Sequence, residues 1–341
     1  MAPSSPPLDR RGFEIAIICA LPLEANCVQA AFDKTWPKCG KAAKDPNAYT
    51  TGVIGDHNVV LVHMPSIAKV SAASVATGLR MSFTGIKLAL VVGICGGIPY
   101  DAGSKKEILL GDVIISEGLD QYDLGRQYPG SFKTKHTVED SLSRPSQEIR
   151  AVLQQFKTNH YRQAMQKNIT EHLTPLQQKL PEAKYPGSDQ DKLYEPSYIH
   201  KHHEATSSCA QCAKGEKEIC DNAVATHCDK VGCAESRLVR SRLATPLGQK
   251  PLVHFGKMGS ADTVMNSAED RDRIADSAQI IAFEMEGADV WDQLPCIVIK
   301  GVCDYADSHK MKRWQNYAAA TAAACMKAFL MAWTSGDKGE L

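Results

Sequence analysis

Apolar and polar positions fall into blocks along this chain, and the period of each block predicts an element. Phe13–Ala20 (FEIAIICA) is apolar throughout except at Glu14, the pattern of a buried strand. Leu21-Pro22-Leu23 turns the chain, and Glu24–Phe32 reads as a helix with Leu23, Cys27, Val28 and Ala31 on one face. Tyr49–Ile54 and Val59–Met64 flank Gly55-Asp56-His57-Asn58, a hairpin signal. Ile67–Phe83 is a helix whose small residues allow close packing on a sheet. Lys87–Val92 is a buried strand closing in the glycine cluster Gly93–Gly97, and Ile108–Ser116 is another strand. Helical periods at 146–156 and 164–180 follow, then an irregular, turn-rich stretch over 181–207. The strand pattern resumes at Pro251–Lys257, followed by a loop over Met258–Asn266 and a charged helix or turn over Ala268–Ser277. Ile280–Phe283 and Cys296–Val302 are apolar runs separated by about two turns of helix, a strand–helix–strand unit that favours a parallel pair. Trp314–Trp333 is a long alanine-rich helix with an apolar stripe through Tyr317, Thr321, Ala324, Ala328 and Met331.

Carboxylates gather at the ends of these strands. Glu284 and Glu286 follow the run at Ile280, Asp304 and Asp307 follow the run at Cys296, and Glu24 follows the first strand. Ligands in open α/β sheets bind beyond the carboxyl ends of the strands. A carboxylate there can accept two hydrogen bonds from the vicinal hydroxyls of a sugar, and a second can deliver a proton to a leaving group. The same acids also suit helix N-termini, where the dipole favours negative charge. The glycine cluster lets backbone approach a ligand, but it has neither GxGxxG nor GK[ST] spacing, which excludes a dinucleotide fingerprint and a P-loop.

The 341 residues are 43% hydrophobic, enough for a sizeable core, and the formal net charge is zero, which points away from nucleic acid and anionic membranes. No apolar run approaches the roughly 18 residues of a membrane span. Residues 1–12 read as a disordered tail with no secretion signal, and of the 12 cysteines Cys19, Cys95, Cys296, Cys303 and Cys325 as reduced core thiols of a cytoplasmic protein. From 121 to 250 charge and proline rise and periodicity weakens. That segment reads as an insertion within a single domain spanning 13–335, with apolar content too thin for a core of its own.

The ordered set IAIICALPLEAN at 15–26, SIAKVSAASVATG at 66–78, VVGICGGIP at 91–99, GDVIIS at 111–116, FEMEGA at 283–288 and VCDYAD at 302–307 resembles the purine nucleoside phosphorylase / uridine phosphorylase superfamily. Within it, the chain is similar to the methylthioadenosine/S-adenosylhomocysteine nucleosidase branch, in a fungal form with a long insertion whose domain also occurs fused to signalling modules. The resemblance implies an α/β fold, a three-layer α/β/α sandwich on a mixed, partly barrel-like sheet. It assigns Glu286 to the ribose hydroxyls, Met285 to the underside of the sugar and Asp304 to N7 of a purine. Phe283, Val264 and Met265 would border the base, and Glu24 would activate water. Glu284, Cys95 and Gly96 complete the expected binding residues. The family's ring over the base is replaced by Val264 and Met265, and its serine in the glycine loop by Ile94. A homodimer is implied as well.

These acids predict hydrolysis of purine ribonucleosides (adenosine, guanosine or inosine) to base and ribose, a step of nucleoside catabolism and purine salvage that needs neither cofactor nor metal. Phosphorolysis is the alternative, although no basic residue lies between Cys19 and Asn26 and Glu24 would repel a phosphate dianion. Lys105, Lys106 and Arg126 are the cations that would have to fold in. A nucleoside-binding regulatory module is the other alternative. In the insertion, Cys209-x-x-Cys212 has the spacing of half a zinc knuckle, with Cys220, Cys228, Cys233, His200, His202, His203 and His227 to complete it. A second CxxC is missing, so structural zinc, free thiols and a local disulfide all remain open and no metal is assigned.

Overall fold

The computed structural model describes residues 3–67, 69–135, 137, 141–203, 209, 212, 219–233, 238–310 and 312–334. The strands are β1 (Ile15–Cys19), β2 (Lys34–Thr35), β3 (Ala48–Ile54), β4 (His57–His63), β5 (Leu88–Gly97), β6 (Tyr100–Asp101), β7 (Lys106–Glu107), β8 (Val113–Asp120), β9 (Gly125–Tyr128), β10 (Ser131–Thr134), β11 (Val253–Ser260), β12 (Ile280–Glu284) and β13 (Cys296–Asp304). Nine of them form one sheet in the order β12-β11-β8-β13-β5-β1-β4-β3-β2, and β12 pairs back onto β5. That return closes one half of the sheet into a barrel-like ring. Pairing is mixed: β1 runs parallel to β4 and β5, while β13 runs parallel to β5 and antiparallel to β8. β6/β7 and β9/β10 are separate hairpins.

Helices cover both faces. Pro22–Ala30, Asn159–Lys179 and Gln315–Ala332 pack together on one side, and Lys69–Ser82 meets Gly287–Trp291 on the other. The result is the expected three-layer α/β/α sandwich. β1 is buried at every position, as its unbroken apolar run requires.

Several expectations are corrected. β12 and β13 are not neighbours; β5 lies against both, antiparallel to β12 and parallel to β13. The glycine cluster is not a loop after β5 but its last five residues, still hydrogen-bonded in the sheet. β8 begins at Val113 rather than Ile108 and ends at Asp120, and β11 runs on to Ser260 into the segment read as a loop. The helix predicted over Ile67–Phe83 spans Lys69–Ser82, Ala68 lying outside the described residues. The C-terminal helix is buried nearly all round rather than along one stripe, because Asn159–Lys179 covers the side that a stripe would leave wet. Of the segment read as a disordered tail, Met1 and Ala2 lie outside the described residues, and Arg10–Gly12 form a short turn of 3-10 helix capped by Asp9.

The helices Gln147–Lys157 and Asn159–Lys179 contribute Ile149, Leu153, Phe156, Met165, Ile169, Leu173 and Leu176 to the main core. Phe156 packs on Phe329 with ring centroids 5.1 Å apart. A second, smaller cluster of Cys212, Cys220, Ala223 and Val231 sits apart from that core.

The alanines of Gln315–Ala332 let it approach β13 closely: a Cβ on Gly301 would lie 2.0 Å from the carbonyl oxygen of Ala318. Gly301→Ala must push the helix off the sheet, and it should lower the free energy of unfolding by about 1–3 kcal/mol. A fall in the urea midpoint at unchanged m-value is the expected result, and an unshifted midpoint would contradict this packing.

Candidate active site

The ends of β1, β5, β12 and β13 meet at one cleft of about 220 Å³, whose wall includes Glu24, Glu284, Glu286 and Asp304. Its meeting point is Gly96 of β5, which partners Phe283 of β12 on one side and Asp304 of β13 on the other. A Cβ on Gly96 would come within 2.9 Å of Asp304 Oδ1 and of Ala306 Cβ, so the bare backbone is what lets the β13 end close in.

Glu24 sits in the first turn of Pro22–Ala30 and its carboxylate is pinned by backbone. Oε2 accepts from the N–H groups of Ala20 and Leu21 at 2.9 and 2.8 Å, and Oε1 from Ile94 N–H at 2.8 Å. Gly93 must be glycine for this contact, since a Cβ there would fall 2.1 Å from Oε1. Burial pushes the Glu24 carboxyl above its ordinary range, Lys300 pulls it back, and Glu286 raises it again.

Lys300 is buried in the middle of β13 and donates to Glu286 Oε2 at 2.7 Å, with Glu284 Oε2 at 4.0 Å. Burial alone would lower its pKa, but the carboxylates of Glu286, Glu24 and Glu284 outweigh burial and hold the ammonium well above its usual range. The pattern reading missed this residue. The signal was present, because a lysine inside a run of β-branched residues must be paired when the strand is buried.

Glu284 reaches the cleft wall, but its carboxylate is engaged by the chain itself. Oε2 accepts from Glu286 N–H at 3.0 Å and Gly287 N–H at 2.8 Å. It caps the start of Gly287–Trp291, the helix-terminus use that its position also allowed, and so shapes the loop that presents Met285 and Glu286. Burial pushes its pKa up, Lys300 opposes this and Glu286 adds to it.

Asp304 ends β13. Its Oδ1 accepts from Ala306 N–H at 2.9 Å, and its Oδ2 faces the Cys303 thiol at 3.3 Å. The ammonium of Lys310, also on the cleft wall and also missed in the sequence, lies 3.5 Å from Asp304 Oδ1. Ala306 takes the left-handed conformation at φ 52°, which turns the loop back over the cleft.

Phe283, Met285, Val264, Met265, Cys95 and Gly96 line the same cleft. Phe283 packs edge-on against Tyr122 at 5.5 Å, and Val264 is 53% exposed. The loop carrying Thr263–Met265 is braced by Asp123, which accepts from Asp262 N–H at 3.0 Å and from Lys69 Nζ at 2.8 Å. A neighbouring groove of about 880 Å³ shares Thr263–Met265 but is lined by none of the four acids. All ten residues expected from the sequence thus share one cavity wall, with the carboxylate of Glu284 turned to backbone.

Residues 14–173 match the family model of the phosphorylase superfamily. That match covers just under half of the chain. The match to this superfamily runs through Gln147–Lys157 and most of Asn159–Lys179, within the segment read as an insertion. The chain is 29% identical over 332 residues to a nucleotide-binding leucine-rich repeat (NLR)-like protein of Hyaloscypha variabilis, across 95% of this chain and 30% of that protein. It therefore spans less than a third of that relative's length. Among solved structures it resembles 5'-methylthioadenosine/S-adenosylhomocysteine nucleosidase from Neisseria meningitidis in complex with methylthio-immucillin-A, at 14% identity and TM-score 0.55, over 94% of this chain and 99% of that one. It also resembles Streptococcus pneumoniae MTA/SAH nucleosidase in complex with 8-aminoadenine (17%, TM-score 0.55, 94% and 100%) and futalosine hydrolase of Helicobacter pylori (14%, TM-score 0.54, 94% and 97%). At these identities the likeness is one of fold. Among the described residues no helix is long and apolar enough to cross a membrane.

Asp307 gives the site a measurable pH signature. Burial pushes its carboxyl up to about 6, against the pull of a hydrogen bond from His309 N–H. Between about pH 4 and about pH 6 the folded chain therefore keeps a proton that the unfolded chain has lost, and this contribution to stability falls as pH rises. His309, 4.0 Å from Asp307 and kept neutral by burial, titrates in the opposite sense, so wild type and variant must be compared directly. Asp307→Asn should gain on wild type by roughly 3 kcal/mol as pH rises across that window, read by urea unfolding. A difference that stays flat with pH would show that Asp307 titrates normally.

Proposed function

We propose that this chain is a purine nucleosidase, hydrolysing the N-glycosidic bond of purine ribonucleosides to free base and ribose. The observation that carries the reading is that Glu24, Glu286 and Asp304, from three separated parts of the chain, line one cleft. In this reading Glu286, tethered by Lys300, accepts hydrogen bonds from the ribose 2′- and 3′-hydroxyls while Met285 packs under the sugar. Asp304 hydrogen-bonds or protonates N7 of the purine, and the Lys310 ammonium adds positive charge on the leaving-base side. Phe283, Val264 and Met265 border the base.

The bond C1′–N9 breaks with its electron pair going to the purine, and the sugar becomes oxocarbenium-like. Water attacks C1′ on the opposite face and gives its proton to Glu24, in the manner of inverting glycoside hydrolysis. The three backbone N–H groups on Glu24 hold the base still before the reaction, so little reorganisation is needed. A carboxyl raised by burial is also a stronger base than a free one, which suits it to take a proton from water.

Water is favoured over phosphate by the charge of the wall. The cleft is lined by four acids and one lysine, and the nearby Lys300 is already paired with Glu286. A phosphate dianion would meet net negative charge there. The solved relatives in complex with methylthio-immucillin-A and 8-aminoadenine support a purine-type ligand for this fold. The NLR-like relative favours a second reading, a sensor that binds a nucleoside in the same cleft without turning it over. By resemblance the protein acts in the cytoplasm as a homodimer, which light scattering tests.

Adenosine, guanosine and inosine assayed with and without phosphate should release base and ribose at the same rate in both conditions. Strict phosphate dependence with ribose 1-phosphate as product would replace the reading with phosphorolysis, and binding without turnover would replace it with sensing. Asp304→Ala and Glu24→Ala should each lower kcat by at least about a hundredfold, the scale of losing a general acid or base. Near-normal turnover in either variant would remove that residue from the mechanism.

A further inference from the structure

The small cluster set apart from the main core is built from histidines and cysteines. His202, Cys209, Cys212 and Cys220 bring their ligand atoms within 4.8 Å of one another, and His200, Cys228 and Cys233 do the same beside them. His202 Nδ1 lies 3.5 Å from both Cys212 Sγ and Cys220 Sγ. Two ligands at ordinary Zn–N and Zn–S bond lengths, set at the tetrahedral angle, are about 3.5 Å apart. The spacing therefore suits donors grouped around one small ion. The Ala223 N–H also points to Cys220 Sγ at 3.3 Å, a hydrogen bond that would support a thiolate at the head of Asp221–Ala225.

The neighbouring set follows the same design. His200 Nδ1 faces Cys233 Sγ at 3.3 Å and Cys228 Sγ at 3.5 Å. Its Nε2 lies 2.8 Å from the carbonyl of Ala223 and 3.0 Å from that of Thr226. Those carbonyls fix the tautomer with the proton on Nε2, which leaves the Nδ1 lone pair on the sulfur side, as in metal-bound histidines. Among the described residues the apolar content here is small: Ala223, Val231 and Ile219 are the non-sulfur members of the cluster. Small units with few apolar side chains are commonly held by metals or disulfides. All the cysteines are free thiols in the structure.

The cluster is tied to the active-site loop. His200 N–H donates to Ser308 Oγ at 2.9 Å. His309 stacks on Tyr194 at 4.2 Å and on Tyr198 at 5.5 Å, and Tyr198 stacks on His203 at 4.8 Å. Lys310, which faces Asp304, is the next residue.

We propose that His202, Cys209, Cys212 and Cys220 bind one structural Zn²⁺ in a four-coordinate Cys₃His site, and that this ion braces the Asp304–Lys310 loop through His200, Tyr198 and His203. Binding releases the three thiol protons to solvent, and the three thiolates and one neutral imidazole close the coordination sphere without a redox step. His200, Cys228 and Cys233 offer three donors for a second ion, with water as the fourth ligand. Soft sulfur donors with imidazole in a tetrahedral set select zinc over magnesium or calcium.

The test is metal analysis of the whole chain, purified untagged under reducing conditions without chelator. At least about one zinc per chain is expected, with Cys212→Ser lowering the content by about one equivalent whatever the total. Cobalt substitution of the wild type, which does not depend on a variant folding, should give thiolate charge-transfer and tetrahedral d–d absorption. Zinc well below one equivalent even after reconstitution, full retention in Cys212→Ser, or a Cys209–Cys212 disulfide found by alkylation and mass spectrometry would each overturn the site. Chelation should raise hydrogen exchange over residues 304–310. Unchanged exchange there, with zinc removed, would overturn the brace and leave the site standing.

Discussion

The active-site end of this fold depends on a buried ammonium. Lys300 lies inside β13 with Glu286 at 2.7 Å and Glu284 at 4.0 Å, and its charge also acts on Glu24. A carboxylate taken out of water without a partner costs several kcal/mol, so an acidic wall of this density cannot form without a compensating cation. Backbone N–H groups do the rest, at Ala20, Leu21 and Ile94 for Glu24 and at Glu286 and Gly287 for Glu284. The acids are thereby held in place before any ligand arrives, which is what catalysis by fixed charges requires.

That wall is assembled by sheet closure. β5 extends past its pairing with β1 through Gly93–Gly97, and its last residues are held by β12 on one side and β13 on the other. The absence of side chains at Gly93 and Gly96 admits Glu24 and Asp304 respectively, so the same glycines that permit the close approach also set the spacing of the acids. The segment read as an insertion reaches the cleft from outside, through the stack of Tyr194, Tyr198 and His203 around His309. A segment that looks peripheral in the chain is joined to the loop that carries Asp304 and Lys310.

Much of the site was legible before folding. Glu24, Glu286 and Asp304 each follow an apolar run, and the end of a buried strand is where such a residue leaves the core and meets the cleft. Lys300 escaped the same reasoning because it interrupts a run instead of ending one. Lys310 escaped because nothing local distinguishes it from any exposed lysine. Glu284 and Glu286 are equivalent as letters, yet one is bound by backbone and the other is tied to Lys300, a division set by where Gly287–Trp291 begins.

Sequence by itself determined the elements and the polarity of their ends, since those follow from period and from neighbours a few residues away. Only the tertiary structure decided which strands touch: β12 and β13, adjacent in the chain, are separated by β5, because strand pairing joins residues far apart in the chain and no local pattern specifies it. It also decided the grouping of the histidines and cysteines. Their spacing along the chain is irregular, and contacts between residues brought together by folding are set by the paths of the intervening segments, which no local pattern encodes.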